Sequence, residues 1–400
     1  MDAPFLFVDE VDTAGKRCLV RLDLNVPLAE GRVTDDTRIR RVLPGLRALR
    51  ETGARIVILT HLGRPKGKPV DDLSVRPVAA ALAALMNCDV PVEDDLLGEG
   101  GQSAVAALAD GDVLMMENLR FHAGEEGNDP DFAAALAELG DVYVGDAFSC
   151  THRAHASVEA LPRLMDVATA GRALGEELNA LHLALAEPKR PVAAIVGGAK
   201  VSTKLQVLEN LVQRVDVLVL GGGMANTFLL ANGIEVGSSL VEADMVDIAR
   251  KVAASADAHG CRIILPEDFV VAEKLAEGVE SRVALPGDIG VEEMILDAGP
   301  ASAAAASEVL ASCRTVVWNG PMGAFEFKPF DGATNKLAQA AGKLTGDGKL
   351  MSVAGGGDTL AALANAGVSN QFSYVSTAGG AFLEWLEGRK LPGVEALRVS

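Results

Sequence analysis

Two groups of residues in this chain have types and spacing suited to holding anions. In the first half, basic side chains recur just after apolar runs. They are Arg21 ahead of Asp23-Leu24-Asn25, then Arg38, His61-Leu62-Gly63-Arg64-Pro65, Glu117-Asn118-Leu119-Arg120-Phe121 and Thr151-His152-Arg153-Ala154-His155. A guanidinium fork matches carboxylate or phosphate oxygens two at a time, which suits a small substrate carrying both groups. A single Arg is most often a solvated surface charge. Recurrence after successive strands gives these residues one address at a sheet edge, and that favours a common anionic ligand. The histidines have no carboxylate or Cys spacing that would make a metal site.

The second group is built on glycine. Gly197-Gly198-Ala199-Lys200, Gly221-Gly222-Gly223 and Gly355-Gly356-Gly357-Asp358-Thr359 all fall at expected strand-to-helix junctions. In an open parallel sheet, ligands bind beyond the carboxyl ends of the strands, where helix N-termini offer free N–H groups to anions. Lys200 and Lys204 are expected on one face of a helix beginning near Ser202, a pair of ammonium groups for a polyphosphate. Glycine alone is the default turn residue, but three clusters at one edge of a sheet point to phosphate binding. Neither G-x-x-x-x-G-K-[ST] nor G-x-G-x-x-G is present, which excludes a P-loop and the standard dinucleotide fingerprint. Spacing leaves Asp358 two roles, holding Mg²⁺ on nucleotide phosphates or capping the helix.

The elements that must position these residues alternate between short apolar runs and longer helix-period segments, which reads as α/β with parallel sheets. Expected strands in the first half are Arg17–Asn25, Arg55–Gly63, Asp112–Asn118 and Asp141–Phe148, with helices over Thr37–Arg50, Ser74–Met86 and Pro130–Leu139. The second series is Pro191–Gly197, Asp216–Gly222, Arg262–Val271, Thr315–Trp318, Leu350–Ala354 and Phe372–Thr377. Between them Leu174, Leu178, Leu181 and Leu185 recur at helical spacing until Pro188 stops the run, so 170–188 is expected to be an interdomain helix. The fold class expected is thus two doubly wound parallel-sheet, Rossmann-like domains joined by that helix, over 1–169 and 189–387. The segment 388–400 is too short to stand alone and must pack on a domain.

Composition bounds the reading. The chain has 400 residues, enough for two or three domains with their own cores. Its formal charge of −19 argues against a nucleic-acid or anionic-membrane partner, which would need a positive field at the contact. Both halves are acidic, so any anion site is local. The five Cys lack C-x-x-C spacing, no basic segment precedes an apolar stretch at the start, and 18 apolar residues never run together. A cytoplasmic location is expected, with neither secretion nor a membrane span.

Taken in order, these motifs resemble the phosphoglycerate kinase family over the whole chain. The resemblance runs from Arg21-Leu22-Asp23-Leu24-Asn25-Val26-Pro27 through Trp318-Asn319-Gly320-Pro321-Met322-Gly323 to Leu391-Pro392-Gly393-Val394. It implies reversible phosphoryl transfer between MgATP and the carboxylate of 3-phosphoglycerate, giving 1,3-bisphosphoglycerate and ADP. Carried over by motif, Asp23, Asn25, Arg38, His61, Arg64, Arg120 and Arg153 would bind the phosphoglycerate in the N-terminal domain. Lys200, Lys204, Gly221, Gly222, Ile295, Glu326, Gly356, Gly357, Asp358 and Thr359 would bind the nucleotide in the C-terminal one, with Asp358 on Mg²⁺. The family also implies a monomer, closure of two domains about the linker, and a C-terminal tail that returns to the first domain. Departures from the family pattern are Ser149-Cys150-Thr151 where Gly-Thr-Ala is usual, Ala199 for a frequent Ser, and Ile295 where some relatives have Gly.

A carboxylate is already ionised at pH 7, so the implied reaction needs no general base, and Arg38 and Lys204 are the expected catalytic residues through charge neutralisation. Two other readings fit two doubly wound domains. An NAD-dependent dehydrogenase would require the missing glycine fingerprint. A non-catalytic binder of a phosphorylated metabolite would need the arginines but not Lys200, Lys204 and the third glycine cluster.

Overall fold

The computed structural model describes residues 5–399. They form two compact units, one of residues up to Leu178 together with those from Lys390 onward, the other Asn179–Arg389.

The first unit is built on a six-stranded sheet of β1 (Arg17–Leu22), β2 (Arg55–Leu59), β3 (Val92–Glu93), β4 (Val113–Met116), β5 (Val142–Asp146) and β6 (Ala168–Ala170), in the order β3-β4-β2-β1-β5-β6. Every pairing is parallel. The strands are buried along almost their whole length, as crossover helices on both faces require. Along β1 the side chains alternate: Cys18, Val20 and Leu22 enter a core with Ile39, Val42, Leu46 and Leu49 of helix α1 (Thr37–Glu51) and Val78 and Leu82 of helix α2 (Arg76–Met86). Arg21 therefore faces the other side of the sheet. Burying each such aliphatic side chain contributes roughly 1.5–3 kcal/mol.

Helix α3 (Pro130–Ala137) starts with Asp129 accepting a hydrogen bond from Phe132 N at 2.8 Å. The final segment packs on this unit through Gly393 N donating to Thr151 O at 2.9 Å and a bridge between Phe5 and Arg398.

The second unit has its own all-parallel sheet of β7 (Val192–Val196), β8 (Val217–Leu220), β9 (Arg262–Ile264), β13 (Thr315–Asn319), β14 (Met351–Gly355) and β15 (Tyr374–Ser376), in the order β9-β8-β7-β13-β14-β15. Beside it β10 (Phe269–Ala272), β11 (Arg282–Ala284) and β12 (Met294–Ala298) form a three-stranded antiparallel sheet. The apolar run expected as one strand over 262–271 is thus two strands in two sheets. Its break falls at Pro266, which has no N–H to give a ladder.

Helix α4 (Arg172–Leu181) carries the division between the units, and the helix expected up to Pro188 instead changes to a π-helical turn over His182–Ala186. Ala170, expected to begin it, ends β6 instead. Asp146 at the end of β5 accepts from Leu174 N at 2.7 Å and so ties that strand to α4.

Candidate functional site

In each sheet the chain begins in the middle, winds outward to one edge, and returns to the other side. The switch points lie between β1 and β5 in the first unit and between β7 and β13 in the second. At such points the loops after neighbouring strands diverge and leave a crevice.

At the first switch point Asp23, just beyond β1, accepts from both Arg38 and the hydroxyl of Ser149, which follows β5. Arg38 stands in the first turn of α1, where a cation opposes the helix dipole. The ion pair with Asp23 offsets that cost. Asn25 Oδ1 accepts from Gly63 N at 2.9 Å, and Arg120 donates to Gly63 O at 2.8 Å. Gly63, after β2, is thereby clamped between the loops following β1 and β4.

His61 is 5% exposed, and its Nδ1 lies 3.2 Å from Arg21 Nη2. Burial first, then the positive charges of Arg21, Arg120, His155 and Arg38, hold its pKa well below the ordinary value, so the ring is neutral. Burial also lowers Arg120, with the Glu126 carboxylate 3.3 Å away pulling in the other direction. Arg153 donates from Nε to His152 Nε2 at 3.1 Å and adds positive field at Arg120. Arg64 is exposed, with no hydrogen bond or ion pair among the described residues.

Asp23 thus contacts Arg38 directly, Asn25 and Arg120 meet through Gly63, and His61 is held by Arg21. Arg153 joins through its field, and Arg64 by chain adjacency alone. Asp23, His61 and Cys150 also bring potential metal-ligand atoms within 4.8 Å of one another. Arg38 occupies the carboxylate and Arg21 the imidazole, so this neighbourhood suits an anion better than a cation.

The second site is a cleft of about 360 Å³, whose lining includes Gly198, Gly222, Leu240, Ile295, Glu326 and Asp358. Its scale and apolar walls suit a small-molecule ligand. Glycine is required at Gly221, where a Cβ would come within 2.6 Å of Met322 Cα. It is required again at Gly356, whose φ of +100° and 2.6 Å approach to Asn319 Nδ2 exclude a side chain. Gly222 opens helix α6 (Gly222–Ala231) and, beyond helices α7 (Pro300–Ser312) and α8 (Gly332–Gly346), Gly357 opens helix α9 (Gly357–Asn365), so α6 and α9 both present free N–H groups at their starts.

Lys204 donates to Asn319 Oδ1, and burial lowers its pKa while Asp358 and Glu387 pull it back up. Asn319 Nδ2 donates to Gly355 O at 2.7 Å, which fixes the amide orientation and ties the end of β13 to the end of β14. The expected helix start near Ser202 is corrected: helix α5 (Leu205–Leu211) begins later, with Lys204 as its N-cap and exposed Lys200 in the preceding loop. Glu242 accounts for the difference, accepting from Ser202 N at 3.0 Å and from its hydroxyl at 2.5 Å, which holds 201–204 as a turn.

Asp358 is exposed, forms no hydrogen bond among the described residues, and leaves the N-cap of α9 to Gly356. Thr359 turns inward: its hydroxyl donates to Gly355 O at 2.9 Å and accepts from Gly320 N at 2.8 Å, bracing the loop after β13. Ile295 packs beside Leu229, Val236 and Phe269 while also lining the cleft.

Sequence reasoning does not single out Ser149, Asn319 or Glu125 as site residues, and it groups Arg21 with the other arginines although its side chain is buried. Ser149 and Asn319 lay inside recognised motifs, and that position was their one available signal.

The phosphoglycerate kinase family model matches residues 8–389. Curated relatives named phosphoglycerate kinase include those of Azorhizobium caulinodans, 56% identical with 98% of this chain and 99% of that protein covered, and of Cereibacter sphaeroides strain ATCC 17025, 57% identical with the same shares. Among solved structures, the phosphoglycerate kinase of Coxiella burnetii aligns with a TM-score of 0.93 at 42% identity, covering 98% of this chain and 99% of that one. That of Pyrococcus horikoshii gives 0.79 at 30%, covering 98% of each. With an arginine-rich cluster at the switch point of one sheet and a glycine-lined cleft at that of the other, this chain belongs to the phosphoglycerate kinase family.

Proposed function

We propose that this phosphotransferase binds 3-phosphoglycerate in its first unit and the nucleotide in its second, with Arg38 and Lys204 neutralising the transferred phosphoryl group. The reaction is reversible transfer between MgATP and the carboxyl group of 3-phosphoglycerate, giving 1,3-bisphosphoglycerate and ADP. The observation that carries the residue assignment is the pairing of Asp23 with Arg38 at one switch point and of Asn319 with Lys204 at the other.

The attacking carboxylate is ionised at neutral pH and needs no proton acceptor. Catalysis then consists of in-line positioning and of stabilising charge spread over the phosphoryl oxygens. Asp23 and Asn25 hold the loops that present Arg38, His61 and Arg120. Lys204 is kept extended by Asn319, and the N-termini of α6 and α9 give N–H donors to phosphate oxygens. Because the two ligands are assigned to separate units, those units must come together during turnover.

Mg²⁺ fits the donors available at the cleft. Asp358 has an exposed carboxylate free of hydrogen bonds among the described residues, and Mg²⁺ takes one or two carboxylates together with phosphate oxygens and water. Bound there with the nucleotide, it would offset phosphate charge. The proposal includes a monomeric, cytoplasmic enzyme. No helix among the described residues is long and apolar enough to cross a membrane.

The test is a coupled assay with MgATP and 3-phosphoglycerate, following NADH loss through glyceraldehyde-3-phosphate dehydrogenase, with Arg38→Ala as the control. A folded wild-type chain that gives no signal overturns the proposal.

A further inference from the structure

Beneath the arginines of the first unit lies a charged network to which the reaction as derived gives no role. Arg21 is 1% exposed. Its Nε donates to Ser157 Oγ at 2.7 Å, one terminal nitrogen donates to Leu22 O, and Nη2 lies 3.2 Å from His61 Nδ1, 3.8 Å from Cys150 Sγ and 3.9 Å from Glu125. Glu125, fully buried, accepts from Ser157 N at 2.9 Å and Ser157 Oγ at 2.7 Å, and His155 Nδ1 stands 3.9 Å from it. Every nitrogen of this guanidinium is thereby held in place. Burying such a pair is costly, and well-packed apolar residues would serve stability as well.

The contact with His61 is chemically one-sided. A guanidinium has only donors, so the acceptor between Arg21 and His61 must be the Nδ1 lone pair, and the ring proton must sit on Nε2. The other arrangements, an Nδ1–H tautomer or an imidazolium, would set an N–H against an N–H, the second with two positive charges in contact. Among the described residues the contact with Arg21 is the one hydrogen bond of this ring, and it leaves Nε2 without a partner. The charged and titratable groups around this ring, Arg21, Arg38, Arg120, His155, Cys150 and Asp23, include one carboxylate, and Arg38 and Ser149 already engage it.

We propose that Arg21 is a positioning residue that fixes His61 as its neutral Nε2–H tautomer, making His61 a permanent N–H donor to an oxygen of the bound phosphoglycerate. The inference rests on the assignment of 3-phosphoglycerate to this unit. It gives His61 a role that does not change as pH crosses the usual histidine range, whereas a cationic histidine would bind the anion best in acid. The lowered pKa of the ring is in accord with this.

The test uses the full chain carrying ¹⁵N-labelled histidine, with the His61 signals identified by their loss in His61→Gln. In the wild type, without ligand, Nδ1 is expected in the unprotonated range and Nε2 in the protonated range from about pH 6 to about pH 8. Arg21→Lys keeps the charge and loses the fork. It should release the tautomer and raise the dissociation constant for 3-phosphoglycerate by about tenfold to a hundredfold, leaving that for ADP unchanged. Combining Arg21→Lys with His61→Gln should weaken binding no further than His61→Gln alone. If Arg21→Lys does not fold, Arg21→Met with Glu125→Gln removes both buried charges and gives the same readouts.

An Nδ1–H tautomer, a ring titrating near its ordinary pKa, or additive effects in the double variant would overturn the proposal. Failure of 3-phosphoglycerate to bind a wild type that shows the expected tautomer would overturn the substrate assignment instead, while supporting the Arg21–His61 relation.

Discussion

Asp23 holds Arg38 by an ion pair while also accepting the hydroxyl of Ser149, so one carboxylate joins the start of α1 to the loops after β1 and β5. The guanidinium at the head of α1 is aimed by a group at the switch point of the sheet, not by its own helix.

Arg38→Ala should therefore act on the chemical step. A fall in kcat of about 10³-fold or more is expected, the scale of removing an arginine that neutralises a transferred phosphoryl group. The ADP dissociation constant should stay within about twofold. Steady-state kinetics and ADP titration check this, and retention of most of the wild-type kcat would defeat the assignment.

Asn319 offers a complementary test in the other unit. Asn319→Ala removes the acceptor of Lys204 and leaves Gly355 O without its side-chain donor. About 1–3 kcal/mol of stability should be lost, with weaker nucleotide binding and an unchanged dissociation constant for 3-phosphoglycerate. Denaturant unfolding and separate titrations of the two ligands distinguish this from general misfolding.

Asp297 should give the second unit a characteristic pH dependence. Burial, with a smaller push from nearby Asp331, raises its pKa to about 8 against the opposing hydrogen bonds from Ala333 N and Ala298 N. The folded chain keeps this proton where the unfolded chain has released it, so stability declines as pH rises from about 4 to about 8. Asp297→Asn forfeits one acceptor but escapes that decline. The difference between variant and wild type should move in the variant's favour by up to about 1.4 kcal/mol per pH unit over this window. A pH-independent difference in unfolding free energy would refute the shift.

Asp358→Asn separates metal binding from nucleotide binding. The Mg²⁺ concentration for half-maximal rate should rise about tenfold or more, while ADP affinity measured without Mg²⁺ changes little or improves, because a carboxylate facing the phosphates is gone. An unchanged Mg²⁺ requirement would leave Asp358 no part in holding the metal.

The α/β class was legible in the sequence, because short apolar runs such as Val192–Val196, set between helix-period segments, read as strands covered on both faces. The sequence also located the glycine clusters and the arginine motifs, since backbone approach to phosphate admits no other residue and planar anion recognition favours arginine. Which polar atoms are already engaged could be read from the folded chain alone. The hydroxyl of Thr359 is committed to Gly320 and Gly355, Lys204 is steered by Asn319, and the run 262–271 is divided between two sheets. Arg21 and Glu125 lie far apart in the chain and meet beneath the site across parallel crossovers. Hydrophobic periodicity reports how a segment is covered, but a hydrogen bond depends on atoms brought within about 3 Å by the whole fold, and no local pattern encodes that.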